Sequence, residues 1–207
     1  MELPPFKVLA AALRKTTERL ATELARPSDS LPDWTELEWA VAQSVAAMQG
    51  ISTLLANKLR WLGPPLWQTF LAEQREQAVL REARIRALLR RIDTALRDAG
   101  VACVALKGSA LLALELYRRG ERPMGDIDLL VRGADAANVT AALTDIDYIE
   151  AFAMRRHTTY EPRFGRTTGG FGEHVDNPLK IEIHTAVAEL LPARRVDITH
   201  HLQANPQ

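Results

Sequence analysis

Cysteine is almost missing from this chain: Cys103 is the only one in 207 residues, so no intrachain disulfide can form. Its apolar neighbours make it read as a buried position in a strand, and the composition fits a reducing cytoplasm. Long apolar runs are missing too. The opening MELPPFKVLAAALRKTTERL has no uninterrupted apolar core of the kind a signal peptide needs, and no later stretch approaches the ~20 apolar residues of a membrane span. A soluble, intracellular protein without a membrane partner is expected. Net charge is absent as well. The 26 basic and 26 acidic residues cancel, which removes the electrostatic excess behind sequence-independent nucleic-acid binding. Long nucleic acid is therefore the least supported partner, and a protein partner stays open. There is no internal repeat or low-complexity tract. What is present, 47% hydrophobic and 25% charged residues, is the make-up of an ordinary globular chain able to bury a core.

The first hundred residues carry helical periodicity broken by proline and glycine, with no polar–apolar alternation. Four helices are expected. Phe6 to Ala25 puts Leu9, Leu13, Leu20 and Leu24 roughly on one side, and Pro27 ends it. Asp33 is a plausible N-cap with Glu36 three residues later, followed by Leu37, Val41, Val45 and Met48 on one face and Gly50 as the stop. Ile51 to Leu62 forms the third. Leu66 to Asp98 forms the fourth, with Phe70, Ala78, Ile85, Leu88, Leu89, Ile92 and Leu96 as its core stripe. Arg81, Arg84 and Arg91 share a helical face. They could meet a polyanion, but a solvated surface with Glu82 and Asp93 as partners is the better reading.

At Val101 the texture changes. Val101 to Leu106 reads as a buried strand, Lys107-Gly108-Ser109 as a tight turn, and the residues through Tyr117 as a helix. Asp126 to Val131 is a second strand, Asp135 to Thr144 a helix capped by Asp135, and Tyr148 to Met154 and Thr158 to Phe164 two more strands. Thr167 to Pro178 is rich in turn-forming residues, and Leu179 to His184 alternates as a strand. The expected fold class is α+β. The expected division is a helical region over 1–99, a core over 100–190 with a small mixed sheet flanked by helices, and a tail over 191–207.

Residues two apart on a strand point to the same side, so Asp126 and Asp128 project together while Ile127 and Leu129 enter the core. Two neighbouring carboxylates repel, and an oxygen-preferring divalent cation is the usual way to keep both ionised. Such a pair alone is weak evidence. Gly108-Ser109 strengthens it, because a strand-to-helix junction favours phosphate: Gly108 admits a close ligand, and Ser109 can cap the helix and donate its hydroxyl. An ordinary N-cap is the plain alternative. Glu182 is the best third carboxylate, sharing a strand face with Lys180 and His184 while Ile181 and Ile183 point inward. His184 would orient a carboxylate or touch substrate, or serve only as a hydrogen-bonded structural residue.

The segment LKGSALLALELYRRGERPMGDIDLLV resembles the signature of the polymerase-beta-like nucleotidyltransferase superfamily. Within it the chain is similar to a bacterial family of uncharacterised nucleotidyltransferases, matching at Lys107, Gly108, Ser109, Arg122, Asp126, Asp128, Glu182 and His184 over Val101 to Val187. The sixteen residues between Ser109 and Asp126 exceed the usual superfamily spacing but are typical of this subgroup. Relatives commonly carry more chain after the third acidic strand than Ala188 to Gln207, so a shortened version is expected. The resemblance implies transfer of a nucleoside monophosphate from a nucleoside triphosphate such as ATP to an unidentified hydroxyl. Asp126, Asp128 and Glu182 would hold magnesium, or manganese in its place. Gly108 and Ser109 would hold the departing phosphates, and Lys107 and Arg122 would add positive charge. The alternative is a nucleotide-binding regulatory or toxin–antitoxin-type protein with little turnover on the same fold. A glycosyltransferase using Asp-x-Asp is disfavoured because the region ahead of the pair is helical.

Overall fold

The structure is a computed structural model that describes residues 4–154, 157–164 and 171–204. Its fold is α+β. Along the chain the elements are α1 (Phe6–Ala25), α2 (Glu36–Met48), α3 (Ser52–Lys58), α4 (Pro65–Asp98), β1 (Cys103–Ala105), α5 (Lys107–Ala113), β2 (Asp126–Val131), α6 (Ala136–Asp145), β3 (Tyr148–Ala153), β4 (His157–Pro162), β5 (Lys180–His184), β6 (Ala188–Leu191), β7 (Arg194–Asp197) and α7 (Thr199–Ala204). No helix of the described residues is long and apolar enough to cross a membrane.

The chain packs as two compact units. The described part of the first runs over 4–81, 119–123 and 171–175, and that of the second over 82–118, 124–154, 157–164 and 176–204. Helix α4 is continuous and contributes to both.

The first unit is built on α1 to α3 and the first half of α4 around Leu20, Val45, Leu55, Trp61, Trp67 and Leu71. The buried side of α1 is Ala12, Thr16, Leu20 and Glu23, one step round from the expected leucine stripe, so Leu13 is exposed. Helix α2 is capped by Thr35, not Asp33. Thr35 Oγ1 accepts from the Glu38 N–H, and the Glu38 carboxylate accepts from the Thr35 N–H at 2.8 Å, a complete capping box shifted two residues along the chain. Met48 is accordingly exposed, and Ala42, Val45 and Ala46 are buried.

Two later segments return to this unit. Thr53 Oγ1 donates to the Glu121 carbonyl at 3.1 Å. The Gln74 amide donates to the Phe171 and Glu173 carbonyls, each at 3.2 Å, and accepts from the Glu173 N–H at 2.8 Å. Of the turn-rich stretch expected over Thr167 to Pro178, 167–170 lie outside the described residues. Arg81 is buried beside Glu173 at 3.6 Å rather than on a solvated arginine face.

The second unit holds a five-stranded sheet in the order β1-β2-β5-β4-β3. Only β2 and β5 are parallel; the other pairings are antiparallel. Ile85, Leu88, Ile92 and Leu96 of α4 and Val139 and Leu143 of α6 pack with Ile127, Leu129, Ile181 and Ile183 of the central strands. Both central strands are therefore pinned, and polar side chains on them are held in fixed positions. Asp135 does precede α6, but its carboxylate accepts from Arg132 at 2.8 Å and makes no cap bond. Beyond β5, β6 and β7 form a hairpin and α7 follows.

Candidate functional site

The centre of the site is the β2–β5 pairing. Parallel register sets Asp128 opposite Glu182 and Asp126 opposite Lys180, so the acidic residues lie on one face of adjacent strands. Asp128 is 2% exposed, and its carboxylate is met by two cationic or polar groups. Lys107 Nζ lies 2.6 Å from Asp128 Oδ1, and His184 Nε2 lies 2.9 Å from the same oxygen. Glu182 Oε2 is 3.6 Å from His184 Nε2 and 4.0 Å from Lys107 Nζ. Asp128, Glu182 and His184 each offer a donor atom within 4.8 Å of the other two.

Charge states follow from this packing. Burial pushes the Asp128 carboxyl up, but the bonds from His184 and Lys107 outweigh burial and hold it below the usual aspartate range. Lys107 is shifted upward, chiefly by its bond to Asp128, with Glu182 and Asp126 adding to the attraction. A carboxylate held ionised in a buried place, against a cation on a flexible stem, is an arrangement able to exchange one positive charge for another.

Local chain geometry explains how Lys107 arrives there. It takes a left-handed φ of 47°, uncommon for a residue with a side chain, where β1 turns sharply into α5. Ser109 is fully buried two residues on. Its Oγ accepts from the Asp128 N–H at 3.0 Å, so it fixes β2 from beneath. The N-cap of α5 is Leu106 and no side chain caps that helix, which corrects the expectation that Ser109 is the cap. Gly108 packs against Met124: a Cβ there would sit 3.3 Å from the Met124 methyl carbon.

Not every expected residue joins the cluster. Asp126 begins β2, half-buried, outside the group of three that lies within 4.8 Å. Arg122 is exposed and belongs to the first unit. One residue escaped the sequence reading: His157, the cross-strand partner of His184, with Nε2 3.8 Å from Glu182 Oε1 and its ring centroid 5.2 Å from that of His184. It starts β4 one residue ahead of the strand expected from Thr158, and period-two alternation counted back by one step would have put it on the Glu182 face. A cleft of about 860 Å³ between α4 and α6, lined by Arg90, Arg91, Ala95 and Asn138 among others, contains none of these residues.

The model of the uncharacterised nucleotidyltransferase family covers residues 35–206. The chain belongs to that family. No curated protein and no solved structure gives a significant match. The match extends well ahead of the signature around Gly108 and Asp126: α2, α3 and α4 lie within the matched residues.

Proposed function

We propose that the protein is a metal-dependent nucleotidyltransferase that moves a nucleoside monophosphate from a nucleoside triphosphate to a hydroxyl acceptor. The observation that carries this reading is the convergence of Asp128 and Glu182 across β2 and β5, in a chain that belongs to a nucleotidyltransferase family. The order of strands and the β1–α5–β2 unit support a place in the polymerase-beta-like superfamily.

The donor chemistry suits a hard divalent cation. Asp128 and Glu182 present carboxylate oxygens, Asp126 adds a third acid on the same strand face, and the position between them already attracts the Lys107 ammonium. Asp126, Asp128 and Glu182 would hold magnesium, which neutralises the phosphate charge and polarises the α-phosphorus when bound. The protein groups do the rest. Glu182 accepts the proton of the acceptor hydroxyl as its oxygen bonds to the α-phosphorus, and the bond from that phosphorus to the bridging oxygen breaks, so that pyrophosphate leaves with the electron pair. Gly108 lies at the approach of the phosphates, Ser109 fixes the Asp128 end of β2 through its hydroxyl, and Lys107, released from Asp128, offsets the phosphate charge.

The test is incubation with ATP, GTP, CTP and UTP in turn, with magnesium or manganese and pooled acceptors, read as pyrophosphate release. Release that is abolished by Asp128→Asn, with the variant's circular dichroism unchanged, supports the proposal. Triphosphate binding with no release under any combination would move the chain to the regulatory, non-catalytic reading, and magnesium affinity unchanged in Asp128→Asn would remove the site.

A further inference from the structure

The carboxylates are not the only donors at the centre. His184 Nε2 lies 2.9 Å from Asp128 Oδ1 and 3.6 Å from Glu182 Oε2, so an imidazole nitrogen stands between the two acids. Donor atoms that occupy adjacent positions around an octahedral dication, with bonds of about 2.1 Å, are separated by roughly 3 Å. The two nitrogen–oxygen separations are near that edge length, and all three donor atoms lie within 4.8 Å of one another. They are also well supported. Asp128 and His184 are buried, at 2% and 9% exposure, and both stand on the paired central strands. The His157 ring packs against that of His184, tilted by 43°, and limits where the imidazole can turn.

The face is occupied electrostatically by Lys107. Its Nζ sits 2.6 Å from Asp128 Oδ1 and 4.0 Å from Glu182 Oε2, while its side chain is 61% exposed. A long, largely exposed stem lets the ammonium swing out to solvent without disturbing the core.

We propose that the dication site is a mixed oxygen–nitrogen triad of Asp128, Glu182 and His184, selective for a first-row transition dication such as Mn²⁺ over Mg²⁺, with Lys107 holding the charge position until the metal enters. This rests on the metal-dependent reading above and revises its ligand set, with His184 in place of Asp126 and a transition dication in place of magnesium. Mg²⁺ takes oxygen ligands and gives up its water reluctantly, whereas first-row transition dications, Mn²⁺ the weakest binder among them, add some affinity for imidazole to that for carboxylate, so a nitrogen in the triad favours them over Mg²⁺.

The test is direct binding of metal alone to the full chain: Mn²⁺ by electron paramagnetic resonance of the free ion, and Mg²⁺ by competition against it. The wild type is expected to bind Mn²⁺ at least about 30-fold more tightly than Mg²⁺, because of the two ions only Mn²⁺ gains from the imidazole nitrogen. His184→Gln should reduce the ratio to below about 5-fold by weakening Mn²⁺ while leaving Mg²⁺ nearly unchanged, since only the nitrogen is lost. Lys107→Met should tighten both metals and leave the ratio as it is. Because His184→Gln alters a buried side chain, the Lys107 variant gives an independent arm that keeps the core intact. An unaltered ratio in His184→Gln, or a Lys107→Met protein that binds either metal more weakly, overturns the triad. If Asp128→Asn still abolishes binding in that case, the carboxylate site survives and only the role of His184 falls. If the wild type binds neither metal, the metal-dependent reading fails with it.

Discussion

Ser109 and Gly108 are adjacent, yet the structure gives them different kinds of work. The Ser109 hydroxyl is fully buried and satisfies the Asp128 N–H, a backbone donor that β1 does not reach because that strand ends at Ala105. Ser109→Ala leaves that buried donor unpaired, and a loss of about 1–3 kcal/mol in unfolding free energy by urea titration is expected. A loss below about 0.3 kcal/mol would show that water replaces the hydroxyl. Gly108 has no such structural claim. Its φ is not left-handed, and an added Cβ would press only on the flexible Met124 side chain. Gly108→Ala should therefore change stability by less than about 1 kcal/mol. The same variant should weaken triphosphate binding at least about tenfold if Gly108 is there to admit phosphate; titration calorimetry with a non-hydrolysable triphosphate separates the two effects. The sequence singled out both residues but merged their roles, because a Gly-Ser pair at a strand-to-helix junction reads as cap and cradle alike, and only the tertiary bond from β2 tells them apart.

At the scale of elements, α2 shows how a correct motif can be placed at the wrong register. Asp33 with Glu36 and Thr35 with Glu38 both satisfy the capping-box pattern, and the chain uses the second. The choice is tertiary: Glu38 also pairs with Lys15 of α1 at 2.7 Å, a contact that Glu36 is not given. Thr35→Ala should cost about 1 kcal/mol, measured by thermal or chemical unfolding. The bond from Lys15, and then that from the Thr35 N–H, hold the Glu38 carboxyl below the usual glutamate range. A depressed acid stabilises the fold above its unfolded value and loses that contribution as pH falls through its folded value. Glu38→Gln should thus be less stable than the wild type near pH 7, with the gap closing below about pH 4. A gap that stayed constant down to pH 3 would mean that the charge of Glu38 does nothing for α2. The sheet was easier to read than the caps. Alternation placed Glu182 and His184 on one face and Ile181 and Ile183 on the other because both faces of β5 are committed by burial. It missed His157 for lack of any such commitment at the first residue of a strand.

On the scale of the whole molecule, chain order and packing order part company. The helical first hundred residues look self-contained in sequence, since their periodicity is local. The unit they build nevertheless takes in 119–123 and 171–175, and no pattern in those loops announces it. Their anchoring is made of specific bonds: Thr53 to Glu121, Gln77 to Val175, and the three-way clasp of Gln74 on Phe171 and Glu173. The clasp also dictates a glycine. Gly172 has a left-handed φ of 71°, and a Cβ there would lie 2.2 Å from Gln74 Oε1. Gly172→Ala should consequently cost about 2 kcal/mol or more, since backbone strain and a displaced hydrogen-bonding side chain combine. A fragment of 1–99 carries this reasoning further. It retains Gln74 and Thr53 but loses their partners, and it strips Ile85, Leu88, Ile92 and Leu96 of α4 of the sheet core they pack into. Such a fragment should keep helical far-ultraviolet dichroism while melting broadly and self-associating, because its exposed apolar stripe has nothing to cover it. A sharp, monomeric melting transition close to that of the full chain would show instead that the helices fold as a free-standing domain, with the two returning loops as additions to it.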